Sequence, residues 1–466
     1  NNRGWSNSNS MFAREGNQLF EGRQYSGWGR FQQKFETDPN SPIQNLYYQL
    51  QVDWSRYFRE FESAEHKDNF FDYGYIGNFN YDRQEVYRYI DPVANADVHN
   101  SNISSDGYYI TAGFSPVNLT FDDSQSKNPL MANYNNFIFD YVNNNGIVNP
   151  FTGSRDYNVQ NMDFLAFYGG LRNGDSPDQV YSLYSGPGSQ QGGYSKYTFD
   201  QTRLTGQASA EIKGHAIKVG FEFEQLQERY WGLASRFMWN YVRQLTNRHI
   251  SGINQNPNEW ELVQVNGVFQ DTVHAPAFFE GSDQSTFDRN LRLKLGLDPD
   301  GTDFIVTDNL DPSTFSLDMF SADELLNDGN QLVNYYGFDY QGNKSKRTAA
   351  ESFFNDEQNR PMNAFAPTYI SGFIQDKFEL EDIIFNIGVR FDRFDANQKV
   401  LKDNYVLFPT YSAGEAREQG FDVGENIPDG WVPYMDDATS PSDVLGFRDP
   451  STNIWYDKTG IPQSSA

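Results

Sequence analysis

The chain has 466 residues, with 36 Lys and Arg against 63 Asp and Glu, a net charge of -27, 16% aromatic residues and no cysteine. So acidic a field repels phosphate backbones, which argues against nucleic-acid binding, and the lack of thiols removes disulfides, thiol catalysis and Cys-type zinc sites. No run of about 18 apolar residues offers a transmembrane helix, and the aromatic content is too rich for a disordered polar chain.

The first predicted element is a hairpin, Tyr25 to Phe35 and Leu46 to Phe58, about a turn near Asn40 that carries Pro39 and Pro42. Tyr48, Leu50, Val52 and Trp54 alternate with Gln49, Gln51, Asp53 and Ser55, the period-2 pattern of a strand with one apolar face. A long connection, residues 59–196, follows. Within it Tyr184 to Gly193, YSGPGSQQGG, has the composition of a flexible loop.

The second hairpin, Thr198 to Ile212 and Ala216 to Leu226, alternates strictly about the tight turn Lys213-Gly214. Leu204, Ala208, Ala210 and Ile212 share a face with Gly206, and Arg203, Thr205, Gln207, Ser209 and Glu211 take the other. On the return strand Ile217, Val219, Phe221 and Phe223 oppose Lys218, Glu222 and Glu224. Each run of about ten residues is long enough to cross a bilayer as a tilted strand, with lipid on one side and a water-filled lumen on the other. His215 is expected in the turn region on the periplasmic side.

A second long connection, residues 227–367, carries a helix pattern at Leu233, Phe237, Tyr241 and Leu245, interspersed with Arg236, Arg243 and Arg248. Ser321 and Glu324 have the spacing of a capping box before Leu325 and Leu326, which predicts a second short helix. Asp298, Asp300 and Asp303 around Gly301 supply calcium-type oxygens, but Asn309 stands where an EF-hand needs its bidentate Glu, so a solvated acidic turn is the favoured reading. Trp231, Trp239, Tyr335 and Tyr336 are the candidate substrate contacts, since ring faces stack on sugars and apolar ligands. The alternative places them in loop cores or in an outer aromatic girdle.

The third hairpin is Thr368 to Leu380 and Ile383 to Phe394, turning at Glu381-Asp382, with Phe385, Ile387, Val389 and Phe391 opposite Asn386, Arg390 and Asp392. Ile217, Val219, Phe221, Phe385, Ile387 and Val389 are expected to face lipid, and Lys218, Glu222, Asn386 and Arg390 the concave side. Residues 397–466 are expected to be an extracellular loop, cut short. Connections of roughly 140 residues are far longer than compact domains use, whereas short turns on one side and long loops on the other suit an outer-membrane barrel. A soluble all-β domain with large insertions also alternates.

Catalysis finds no motif. The five histidines, at 66, 99, 215, 249 and 274, form no i, i+4 pair and no HExxH, and neither G-x-S-x-G nor a nucleotide loop occurs. No metal or cofactor and no enzymatic activity are expected.

The segment YISGFIQDKFELEDIIFNIGVRFDRFDANQ resembles the barrel hairpin of TonB-dependent outer-membrane receptors, in which a Gln375-Asp376-Lys377 strand turns and returns through Gly388, Arg390 and Asp392. GHAIKVGFEFEQ looks like another such hairpin. FFDYGYIGNF (Phe70 to Phe79), FYGGLRNG (Phe167 to Gly174), DMFSADELLNDGN (Asp318 to Asn330) and VNYYGFDYQGN are similar to the SusC-like and Oar-like receptors of Bacteroidota. The resemblance implies a 22-strand transmembrane β-barrel in the outer membrane of a Gram-negative bacterium, plugged by an N-terminal domain. It would import a nutrient with TonB-derived energy, and a surface lipoprotein is a possible partner. Neither plug nor TonB box is recognisable, and an open sheet cannot stand in lipid, so the chain is expected to be an internal portion of about six strands. The alternative function is a cell-surface adhesin or glycan-binding β-sheet protein.

Overall fold

The computed structural model describes residues 2–4, 6–38, 40–90, 108–149, 153–250, 261–265, 268–274, 284–345, 352–398, 405, 411–437 and 441–463. It is mostly β, with 39% strand and 19% helix, and divides into two compact units, Asn1–Asn397 and Gln398–Ala466.

The main sheet belongs to the first unit. It comprises β1 (Leu19–Lys34), β2 (Ile43–Glu62), β3 (Tyr194–Ile212), β4 (His215–Leu233), β5 (Val333–Tyr336), β6 (Thr368–Leu380) and β7 (Ile383–Asp395). The order is β1-β2-β3-β4-β6-β7; β5 extends the edge of β4 beyond the end of β6, and Asn2–Arg3 pairs with the start of β1. Every pairing in this sheet is antiparallel.

All six expected strands are present with the expected partners, but four run further at the ends away from the turns. β1 begins at Leu19, β2 continues to Glu62, β3 begins at Tyr194 and β4 continues to Leu233. These corrections share one cause. Beyond the apolar stretch both faces carry aromatic and charged residues, so the period-2 contrast fades while the backbone ladder goes on. The turn at Lys213 and Gly214 has φ of 50° and 87°, the double left-handed geometry whose twist matches that of the flanking strands.

The register fixes two faces. On one, Val52, Leu204, Phe223 and Ile370 lie in a row, and Leu50, Gly206, Phe221 and Gly372 in the next. Among the described residues nothing covers this apolar face: Val219 is 40% exposed, Phe221 45%, Val389 51% and Ile387 58%. From Leu204 to Ile212 the strand climbs roughly 27 Å at about 3.4 Å per residue.

The opposite face is a hydrogen-bonded polar network. Arg30 Nε donates to Gln51 Oε1 at 2.8 Å, Gln51 Nε2 to Asp53 at 2.8 Å and Gln32 Nε2 to Gln49 at 2.7 Å. Arg203 pairs with Glu222, which Arg390 approaches at 3.8 Å; Arg390 also donates to Asp392, Ser371 Oγ and Tyr369 Oη. His215 is not in the turn loop but begins β4, its Nδ1 2.7 Å from Asp376 Oδ2.

The two long connections fold on each other at the end of the sheet away from the turns. Phe71, Tyr73 and Tyr75 from the first share one core with Trp239, Val242, Phe287, Phe320 and Leu325 from the second. Helices α1 (Pro129–Asn145), α2 (Met162–Phe167), α3 (Met238–Leu245), α4 (Thr286–Leu295) and α5 (Ala322–Leu326) lie in these connections. An antiparallel hairpin, Asn78–Ile90 with Tyr108–Asp122, lies in the first connection and was not expected. The helix expected from Leu233 starts later, at Met238: Leu233 ends β4 and Phe237 stays 48% exposed, while Met238, Trp239, Tyr241, Val242 and Leu245 make the buried stripe. The capping box forms, with Glu324 N donating to Ser321 Oγ at 3.2 Å and Ser321 N to Glu324 Oε2 at 2.8 Å.

The second unit, within the stretch expected to be a loop, carries secondary structure of its own. It has a helix, Ala413–Glu418, and four short antiparallel strands, Val432–Met435, Val444–Arg448, Trp455–Asp457 and Pro462–Gln463. Its own core holds Ala413, Ala416, Val423, Ile427, Val444 and Phe447.

Candidate functional site

Where the polar face passes beyond the apolar band, its composition changes. The alternation of β2 carries Tyr57, Arg59 and Phe61 onto the side of Gln51 and Asp53, because each lies an even number of residues away. Cross-strand register then assembles one row of Arg59, Tyr197, Tyr230 and Tyr336, and beside it another of Tyr57, Phe199, Glu228 and Phe365. β2, the β3–β4 hairpin, β5 and the segment at Phe365 thus build one wall.

The rings are in contact. Tyr230 and Tyr336 stack at 5.9 Å between centroids, Tyr336 meets Phe365 at 4.6 Å, and Tyr57 meets Tyr197 edge-on at 6.5 Å. The Arg59 guanidinium lies 4.7 Å from the Phe61 ring and 5.3 Å from that of Tyr197, and its Nε has no hydrogen-bond partner. Tyr336 Oη donates to Glu228 Oε1 at 3.1 Å. Burial first, then the hydrogen bond to Glu228 and its charge, pushes the Tyr197 phenol up to about 12; burial and Glu228 likewise raise that of Tyr336. Both phenols therefore stay protonated donors near neutral pH. A wall that couples ring faces, one cation and one carboxylate has the chemistry to stack on and hydrogen-bond a ligand.

Of the four substrate contacts expected from sequence, only Tyr336 belongs to this wall. Trp231, Trp239 and Tyr335 are core residues, at 1%, 0% and 5% exposure. Their polar atoms are committed inward: Trp231 Nε1 donates to Tyr340 O at 3.0 Å, Trp239 Nε1 to Phe71 O at 3.0 Å and Tyr335 Oη to Arg360 O at 2.6 Å. The loop-core alternative describes these three. Arg59, Phe61, Tyr197 and Glu228 were missed because the strands were ended too early, whereas Tyr57 lies inside the expected strand and Phe365 outside any strand, and neither was singled out. Continuing the period of β2 past Phe58 would have placed Arg59 and Phe61.

Asp298, Asp300 and Asp303 do not converge. Asp298 Oδ1 accepts from Asp300 N at 3.0 Å, and Asp300 pairs with Arg289 at 2.6 Å. Among the described residues no cluster of His, Asp or Glu has metal-binding geometry. Comparison with protein-family models, with curated proteins and with solved structures finds no match to this chain.

Proposed function

We propose that the main sheet is part of the wall of an outer-membrane transport barrel, and that the aromatic wall above it receives the transported nutrient. The observation that carries this reading is the uncovered apolar face of the sheet, backed by an ion-paired polar face. In water each of these half-exposed Val, Ile or Phe side chains forgoes about 1 kcal/mol of burial, and so large a patch would drive association. Against lipid the same face is at home, and the polar network becomes the surface of a water-filled lumen. A soluble sandwich would instead bury Val219, Phe221 and Ile387 under a second sheet. Closure requires further strands on the free edges of β1 and β7, since unpaired backbone groups are costly in lipid.

In this reading Arg59, Tyr197, Glu228, Tyr336 and Phe365 form the upper lumen site, and energy from TonB acts through a plug outside the described residues. The resemblance of the third hairpin to TonB-dependent receptors supports the transport role. Fractionation tests it: the chain should remain with membranes after a carbonate wash and need detergent for release. Recovery in the aqueous fraction would replace this reading with that of a surface adhesin or glycan-binding protein.

A further inference from the structure

The apolar face changes character abruptly above Val52, Leu204 and Phe223. The next positions on that face are Trp54, Thr202 and Gln225, and above them Arg56, Asp200 and Gln227. Two adjoining hollows open here, of about 210 and 680 Å³, and both are lined by Arg56 and Lys344. Arg23, Lys196 and Arg229 complete a set of five cations, against the lining carboxylates Asp200 and Glu60. In a chain of net charge -27 this concentration of positive charge stands out.

The cations are held in place. Arg56 and Arg229 both pair with Asp200, the latter at 2.9 Å, which leaves one positive charge in excess. Lys196 Nζ donates to Gly342 O at 2.8 Å and lies 5.4 Å from the Trp231 ring. The segment that carries Lys344 comes close only because position 342 is glycine: a Cβ there would sit 3.1 Å from both Lys196 Nζ and the Trp231 ring, at a φ of 84°. Lys344 is exposed, and Arg23 pairs with Glu21 and also interacts with Tyr25. Tyr25 and Trp54, half exposed, mark the level at which an aromatic girdle meets lipid headgroups.

We propose that this groove, on the face opposite the aromatic wall, binds the phosphorylated headgroup of a lipid in the outer leaflet, with its acyl chains against Val52, Leu204 and Phe223. Guanidinium forks and ammonium groups bind phosphate oxygens, and cations at a membrane surface gain most where the lipid chains also find an apolar wall. The inference rests on the membrane reading given above, but it can fail separately.

The test uses the purified chain in lipid-detergent micelles and three probes: diphosphorylated lipid A, the same lipid with its phosphates removed, and inorganic phosphate. The phosphorylated lipid should be retained and the dephosphorylated one released, with millimolar phosphate unable to displace the first. Lys344→Gln with Arg23→Gln, which disturbs no buried pair, should weaken the phosphorylated lipid by roughly 25-fold at about fivefold per cation. Equal retention of both lipids, full displacement by phosphate, or an unchanged double variant would overturn the proposal while the barrel reading stands. A chain that never enters micelles would overturn both.

Discussion

At the scale of single residues, Asn173 and Arg243 tie the two long connections together. Asn173 Oδ1 accepts from Ile76 N at 2.7 Å, its Nδ2 donates to Asp308 Oδ1 at 3.0 Å, and Arg243 Nη1 reaches the same oxygen at 2.8 Å. Asp308→Ala would leave the Arg243 cation unpaired in a low-dielectric site and should cost about 3–5 kcal/mol. Asp308→Asn keeps the oxygen and should cost about 1 kcal/mol. Thermal melting of the loop core separates the two outcomes. Burial lifts the Asp308 carboxyl above the ordinary aspartate value, with Arg243 and Asn173 pulling it back. A carboxyl raised in the folded state binds its proton more tightly there than in the unfolded chain. Its contribution is therefore greatest below the ordinary value and lost as pH rises through the raised one. Melting temperature should fall over that window in the parent chain and fall less in Asp308→Asn.

At the scale of elements, the sheet makes the sharpest claims, because shifting a strand by one residue inverts both faces. Val219→Lys places a charge on the apolar face at a cost of about 2–4 kcal/mol at the midplane, and should block assembly into membranes. Lys218→Ala, on the polar face, should assemble at parent levels; heat-modifiable mobility on gels reads both, and equal behaviour would refute the facing. Ser321→Ala removes the cap of α5 and should cost about 1 kcal/mol, read as faster hydrogen exchange in that helix. Sequence carried the hairpins, their partners and the capping box, since each is a local signal: alternation within a strand, a spacing of three residues at a cap. It missed α1, α2 and the hairpin Asn78–Ile90 with Tyr108–Asp122, whose apolar positions answer to a core shared by distant segments. The candidate site was legible only at Tyr336. Trp231 and Trp239 are large rings, which suit a ligand site and a loop core alike.

At the scale of the whole first unit, the two connections are one structure. The first cannot be described without the second, since Phe71 and Tyr73 pack among residues beyond Met238. Removing residues 234–332 should therefore expose Phe71 to Tyr75 to hydrogen exchange and weaken ligand retention, while the strands from Leu204 to Ile212 keep their protection. A first connection still protected after that deletion would contradict the shared core.

The hydrogen bond from Asn173 to Asp308 spans 135 residues and that from Trp239 to Phe71 spans 168. Closing such long segments loses chain entropy before any contact repays it, so pairs this distant form late. β3 and β4 lie between the two connections and bring their ends together once paired. The sheet thus acts as the template on which its own cover folds, and the aromatic core stays open until the strands meet. A chain halted before that step would present those rings to chaperones and proteases, so cleavage near Phe71 serves as a clock for assembly.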